Sequence, residues 1–412
     1  MVNPRLLLLI PNGSYRTQDF IKTAKRLDVF VTVGSNHKPV LQKQTRNQTL
    51  IVDFSNNGNA VKQIVEFNQA NEIHAIIGVD EITTFIAAKA SAHLGLKHNP
   101  PETIDIAHDK FKMRCALRGT ELSSPDFHLV TPDADIALAA QSQNYPCVLK
   151  PTNLSASRGV IRANTPHSFI EAIKYIRQIN QRWHGTNDQP VLVETYITGV
   201  EVALEGLLEN GKLRCLALFD KPGMSDGPFF EESMFVTPSR LDSSIQDECL
   251  NTVQYAAQTI GLCEGPLHAE LRIYDNKPWL IELAARSIGG LCSRSLQFPE
   301  DTTLEEIIVR HALDLPVEAI QRESLASGVM MIPIPARGRL LGVSGVDRAR
   351  KVEGIQDIRM GIVIGQELIP PPEGDRYLGF IFARSEKPCL VEQALNKAHS
   401  HLDIEIAKDS SN

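Results

Sequence analysis

The sequence has little of what staples, anchors or polarises a protein. Its seven cysteines (Cys115, Cys147, Cys215, Cys249, Cys263, Cys292 and Cys389) are scattered, with no Cys-x-x-Cys pair. That spacing signals neither zinc nor a dithiol redox couple and fits reduced, mostly buried thiols. The apolar run at 6–10 is stopped by Pro11-Asn12-Gly13 and has five residues, too few for a signal-peptide core or a membrane span. A cytoplasmic protein with no membrane partner is expected. Lys plus Arg number 42 and Asp plus Glu 49, a net charge of −7 with no block of one sign. This near-balance argues against nucleic acid as the main partner. With 26 Gly, 24 Pro and 42% hydrophobic residues, the composition excludes a collagen, a coiled coil and a disordered tail. A dinucleotide fingerprint is missing as well. The first strand-to-helix turn, Pro11-Asn12-Gly13-Ser14-Tyr15, has one glycine where that motif needs three, so Asp53 gains no support as a ribose ligand.

What is present is an alternating pattern. The 412 residues allow two to four domains at roughly 100–200 each. Apolar strands at 6–10, 29–33, 50–53 and 73–79 alternate with helical stretches at 17–26, 61–68 and 82–94. Such alternation predicts a parallel sheet with crossover helices. Asp80-Glu81 lies at the carboxyl end of the fourth strand, where open α/β sheets bind ligands, and also reads as a helix N-cap. Pro100-Pro101 marks a boundary.

Four segments beyond it carry chemistry. The first is His108-Asp109-Lys110-Phe111-Lys112. In the second, Lys150 ends an apolar strand and precedes a small-residue loop, Ser155-Ala156-Ser157-Arg158-Gly159. A lysine there can meet phosphate oxygens while loop amides and the Ser155 and Ser157 hydroxyls donate to them; a solvated strand terminator is the plainer reading. In the third, Glu194 is followed by Tyr196-Ile197, the Gly199 turn and Glu201. A strand-to-turn backbone at Tyr196 and Ile197 suits an adenine edge, and a carboxylate suits ribose hydroxyls. In the fourth, Glu270 and Glu282 lie on predicted strands 268–273 and 279–283, joined by the hairpin turn Tyr274-Asp275-Asn276-Lys277. Facing carboxylates on neighbouring strands suit Mg²⁺, or equally a salt-bridge ladder with Arg272 and Arg286.

In this order the segments resemble the ATP-grasp superfamily over roughly residues 100–300. The Glu194-to-Glu201 spacing is that of D-alanine–D-alanine ligase. The stretches His268-Ala269-Glu270-Leu271-Arg272 and Glu282-Leu283-Ala284-Ala285-Arg286-Ser287-Ile288-Gly289-Gly290 resemble L-amino-acid ligases and carnosine-synthase-like enzymes, as do Ala336-Arg337-Gly338-Arg339-Leu340 and 377–383. The resemblance implies an α/β (α+β) ATP-grasp fold: a Rossmann-like domain at 1–105, an ATP-grasp domain at 106–327 with a mobile lid at about 123–193, and a β-rich unit at 328–412. It implies Lys110 and Lys150 on phosphate, Glu194 on the adenine amino group, Glu201 on ribose, Glu270 and Glu282 on Mg²⁺ (or Mn²⁺), and Arg286 steadying the reacting carboxyl group. The implied reaction joins a small-molecule carboxylate and an amine, amino acids being the expected class, at the expense of ATP. A biotin-carboxylase-like enzyme and a non-catalytic ATP-binding protein are the alternatives. A homodimer is compatible with the sequence, which leaves oligomeric state open. Two departures are visible: Thr152-Asn153-Leu154-Ser155-Ala156-Ser157 replaces a common glycine run, and Ala284 stands where many members place a metal-binding Asn. Lys221 and Glu232, in a long Gly/Pro-punctuated loop, are candidates for substrate contacts, with ordinary surface charge the plainer reading; His268 reads as a structural histidine, and His399 and His401 are assigned nothing.

Overall fold

The structure, a computed structural model, describes residues 3–11, 14–36, 49–186, 188–223, 227–230, 233–317 and 320–407. The Asn12-Gly13 turn and Glu232 therefore lie outside the described residues. Strands β1 (Arg5–Leu9), β2 (Phe30–Ser35), β3 (Thr49–Ile51) and β4 (Ala75–Gly78) form a parallel sheet in the order β3-β2-β1-β4. Helices α1 (Thr17–Arg26), α2 (Asn57–Asn68) and α3 (Glu81–Leu94) make the crossovers. Leu6 and Leu8 face Phe20, Ile307 and Ile308, while Leu7 and Leu9 face Val61, Ile64 and Ile86. A strand covered on both faces is apolar at every position, so the leucine run marks β1. Asp53 sits in an exposed turn and accepts from the Ser55 amide and hydroxyl.

After α4 (Pro101–His108) and α5 (Lys110–Leu117) comes a small antiparallel sheet of β5 (Phe127–Val130), β6 (Cys147–Pro151), β7 (Ile161–Ala163) and β8 (Val191–Thr195), ordered β5-β8-β6-β7. Helices α6 (Ile136–Ser142) and α7 (Pro166–His184) cover it. Leu149, Phe169, Ile173, Ile176 and Val193 give this unit a core of its own.

Next come β9 (Val200–Glu209), β10 (Lys212–Asp220), β11 (Met234–Thr237), α8 (Ser243–Ile260), β12 (Gly265–Tyr274), β13 (Lys277–Ala284) and α9 (Leu304–Ala312). They are followed by β14 (Ala326–Ile332), β15 (Gly338–Ser344), α10 (Val346–Arg350), β16 (Ile355–Met360), β17 (Glu367–Leu368), β18 (Gly379–Ser385), α11 (Pro388–His399) and β19 (Asp403–Ala407). Eight of these strands make one sheet in the order β13-β12-β9-β10-β11-β14-β18-β16, and the other three pair as β17-β15-β19. Three strands of the expected C-terminal unit thus continue the central sheet, because their apolar side chains complete its core. On β9, Val202, Leu204 and Leu208 pack on α8, while Ala203 and Leu207 face the other way, toward the first domain. Side chains alternate along a strand, so Glu201 and Glu205 share the Ala203 face. The hairpin turn between β12 and β13 places Asp275 and Asn276 at φ 51° and 55°, the left-handed conformation a tight hairpin demands. Among the described residues, no helix is long and apolar enough to cross a membrane.

Candidate active site

Pairing across the central sheet sets the site. Glu270 on β12 lies directly opposite Glu282 on β13, and on its other side opposite Ala203 of β9. The same register places Arg272 opposite Glu201 and His268 opposite Glu205. The two predicted metal carboxylates are therefore neighbours on one face, and each has a cation at hand. Lys110 Nζ lies 3.3 Å from Glu282, and Lys221 Nζ donates to Glu270 at 2.9 Å.

Lys110 arrives through a cap. The Asp109 side chain accepts from the Phe111 and Lys112 amides, starting α5 where Lys110 points toward the sheet. Its Nζ also donates to the Leu154 carbonyl at 2.8 Å. One helical turn later, Arg114 is fully buried and donates to Glu194 Oε1 at 2.7 Å, while Lys150 Nζ lies 2.6 Å from Glu194 Oε2. Burial opposes a charge on Glu194, but the Arg114 and Lys150 cations outweigh it and hold the carboxyl at about 2. Burial likewise lowers the Lys150 pKa, against the pull of Glu194.

A titration prediction follows from Glu194. Its carboxyl ordinarily titrates near 4.5 and titrates at about 2 in the fold, so the stabilisation is complete above about pH 4.5 and is lost as pH falls through about 2. The loss is on the order of 3 kcal/mol. Chemical denaturation across that window checks it: Glu194→Gln should flatten the acid limb. Equal steepness in both proteins would remove this residue from the account.

The Gly199 turn brings Glu201 back over the sheet. Gly199 has φ +102°, and a Cβ there would stand 2.0 Å from the Ile273 carbonyl oxygen, so no other residue fits. Glu201 is held by Lys221 at 2.5 Å and by Arg272 at 3.0 Å. Arg272 also donates to the Ile197 carbonyl at 2.8 Å and lies against the Tyr196 and Phe230 rings. Lys221 is buried rather than a surface charge, because it bridges Glu201 and Glu270 across the sheet.

One cavity is lined by Lys110, Lys150, Ser155, Ser157, Glu194, Tyr196, Ile197, Glu201, Glu270 and Glu282, together with Lys221 and Arg272. Gly159 is not on its wall; it closes the loop at φ +68°, with its amide on the Pro372 carbonyl at 2.9 Å. Within that loop Ala156 and Ser157 also have φ of 58° and 54°, a conformation costly without glycine and concentrated at ligand-contacting turns.

A second cavity of about 500 Å³ adjoins the first and shares Ser155, Ser157, Glu270 and Glu282 with it. Arg286 enters it, pairing with Glu81 at 2.5 Å. Burial works against the Arg286 charge, yet Glu81 and Glu282 raise its pKa; Arg286, with His108 and Lys110, in turn lowers that of Glu81 despite burial. Asp80, two residues beyond β4, caps α3, with Thr83 Oγ1 bonded back to its backbone, so the cap reading holds, and both Asp80 and Glu81 line the cavity. His268 donates to buried Glu205 at 3.1 Å; burial disfavours its charge, but Glu205 and Glu270 raise its pKa to about 9. On the wall of the same cavity, Arg16 bonds Ser287 at 2.5 Å and Glu305 at 3.0 Å.

The donor set fits magnesium. Among the described residues no group of three or more His, Cys, Asp or Glu forms a closed cage. Two facing carboxylates open to a cavity are what Mg²⁺ uses when phosphate oxygens and water complete its shell. Sequence reasoning missed Arg114 and Glu205, and it placed Glu81 at a ligand-binding strand end without its partner Arg286. Arg114 stands at i+4 from Lys110 and Glu205 at i+4 from Glu201 on a strand, spacings that place each on its partner's face.

Comparison with known proteins agrees with this geometry. Residues 143–295 match the ATP-grasp domain, and residues 330–407 match the L-amino acid ligase C-terminal domain 2. The chain is similar to alanine–anticapsin ligase of Bacillus subtilis (strain 168), 29% identical over 251 residues that cover 55% of this chain and 52% of that one. It thus spans about half the length of that curated relative. An L-amino acid ligase from Bacillus licheniformis has the same fold, with a TM-score of 0.86 at 24% identity over 98% of this chain and 99% of that one. The biotin carboxylase domain of Hydrogenobacter thermophilus 2-oxoglutarate carboxylase, in complex with MgADP, ADP and bicarbonate, shares it less closely, with a TM-score of 0.72 at 14% identity over 99% and 92% of the two chains. With four charged segments gathered around one cavity and both domain signatures matched, the chain carries an ATP-grasp domain and the C-terminal domain 2 of the L-amino acid ligases.

Proposed function

We propose that this chain is an ATP-dependent carboxylate–amine ligase that joins two small molecules, amino acids being the class expected. The observation that supports it best is the junction of the two cavities at Glu270 and Glu282, beneath Ser155 and Ser157. ATP in the first cavity would direct its γ-phosphate to that junction. Tyr196 and Ile197 would meet adenine, with Glu194 behind them, and Glu201 the ribose. Lys110, Lys150 and the loop amides would hold phosphate. The acid and the amine would share the second cavity.

An oxygen of the substrate carboxylate attacks the γ-phosphorus, and the bond to the β-phosphate oxygen breaks, giving an acyl phosphate and ADP. The amine nitrogen then attacks the acyl carbon, loses a proton and expels phosphate. The chain's task is positioning and charge neutralisation. Glu270 and Glu282 would hold magnesium, or manganese on the same carboxylates, and the metal would supply positive charge against that of the phosphates. Arg286 offers a planar fork to the carboxylate and then to the oxyanion that forms at the acyl carbon. The C-terminal domain match, on residues 330–407, favours a ligase over a bicarbonate-using carboxylase. Release of ADP and phosphate, with mass detection of products, tests the proposal against amino acids singly, in pairs and with bicarbonate. Amide formed only with a pair is the expected result. Turnover with bicarbonate alone, or with no co-substrate, would overturn it.

A further inference from the structure

Arg337, in the motif Ala336-Arg337-Gly338, has no place in the chemistry above, yet it leads to a cluster that joins the two ends of the catalytic unit. Its guanidinium pairs with Glu373, in the loop before β18. The Glu373 carboxylate also accepts from Tyr175 Oη and from Arg182, each at 2.8 Å, and both of these lie on α7 of the small sheet. One carboxylate, 17% exposed, thus has three partners drawn from two units that share no strand pairing. The same loop touches the small sheet twice more. The Pro372 carbonyl accepts from the Gly159 amide at 2.9 Å, and Asp375 lies 3.6 Å from Arg158, whose guanidinium sits 4.2 Å above the Trp183 ring. The loop is held tight, since a Cβ on Gly374 would lie 1.8 Å from the Ile369 carbonyl oxygen.

What the contacts enclose gives the cluster its meaning. Ser155, Ala156, Ser157, Arg158 and Trp183 line the second cavity, and Asp375, Arg376 and Tyr377 line it beside them. Ser155 and Ser157 also line the first cavity. The segment that would close over phosphate is therefore fastened to the segment that walls the acid and the amine. We propose that Glu373 is a positioning residue that clasps α7 to the loop 370–377, so that closing over ATP and sealing the second cavity are one event. The acyl phosphate, formed at the junction, is thereby kept from water until the amine reacts. This inference rests on the ligase reading of the site.

Glu373→Gln removes the charge that two arginines share and leaves the shape; Arg182→Ala, at a side chain 57% exposed, loosens the clasp from the other side. With acid, amine and Mg-ATP, the wild type should release one phosphate per amide formed. Each variant should raise that ratio about threefold to tenfold by hydrolysis of the acyl phosphate, the size expected for one ordinary hydrogen bond lost at a partly exposed site. KM for the amine should rise more than the rate of ADP release falls, a split that general destabilisation does not produce. Hydrogen exchange with the non-hydrolysable analogue Mg-AMP-PNP gives a readout independent of turnover. In the wild type 155–159 and 370–377 should become protected together, and in the variants 370–377 should lose that protection. If the wild type makes no amide, the ligase reading fails and exchange still judges the clasp. If both variants keep the wild-type ratio and exchange pattern, the clasp is refuted; if Glu373→Gln does not fold, Arg182→Ala decides.

Discussion

Arg286→Ala is expected to lower the rate of amide formation by about two to three orders of magnitude, the usual consequence of removing a preorganised oxyanion donor. The side chain enters the second cavity close to Glu282, and its Nε donates to Glu81 at 2.5 Å. Truncation removes the cation and also strands the Glu81 carboxylate, which is only 12% exposed. Arg286→Lys separates the two effects. Lysine keeps the charge beside Glu81 and should restore stability, but it lacks the planar fork and should restore only part of the rate. Steady-state kinetics with thermal melts on both variants supply the check. An alanine variant within a few-fold of the wild-type rate would remove Arg286 from the chemistry.

Glu270→Gln and Glu282→Gln should each reduce turnover about a thousandfold, because a metal at a transferring phosphoryl group supplies several kcal/mol of charge stabilisation. The fold should survive both changes, since glutamine keeps the β12–β13 packing. The two variants should differ in one respect. Glu270 shares Lys221 with Glu201, so Glu270→Gln should also disturb the nucleotide pocket, whereas Glu282 pairs with Lys110 at the phosphate end. Magnesium titration of activity, with calorimetry of Mg-AMP-PNP binding, reads both expectations. Unaltered magnesium dependence in both variants would sink the metal assignment.

Much of this site was legible because it follows backbone periodicity. The turn Tyr274-Asp275-Asn276-Lys277 makes β12 and β13 partners, but the register it sets, with Leu271 opposite Leu280, shifts by one residue before Glu270, and that shift is what sets Glu270 opposite Glu282. The Gly199 turn returns Glu201 to the face it shares with Ala203 and Glu205. Lys221 was misread as surface charge because the end of a strand beside a loop looks solvated in one dimension; the acids that bury it come from β9 and β12. Glu81 and Arg286 are 205 positions apart, and no local pattern joins residues at such separation. The 370–377 loop escaped notice for the same reason, its partners lying on α7. That residues 328–412 are rich in strands was expected, whereas sheet membership was not, since a strand's sequence says which face is buried but not which neighbour it pairs with.

The order of the central sheet has a consequence for synthesis in the cell. β14 is paired on one side with β11 and on the other with β18, and its seven residues, Ala326–Ile332, are all buried. β18 is made some fifty residues later, and among the described residues β16 pairs with it alone. Until Gly379–Ser385 has left the ribosome, the growing sheet ends in an uncovered strand whose last four residues, Val329-Met330-Met331-Ile332, are apolar, with no charge to discourage a second chain from adding there. A shortened chain that stops before β18 keeps the complete nucleotide cavity and should nevertheless be recovered as aggregate, and the region matching the C-terminal domain cannot be exchanged between relatives as a detachable cassette.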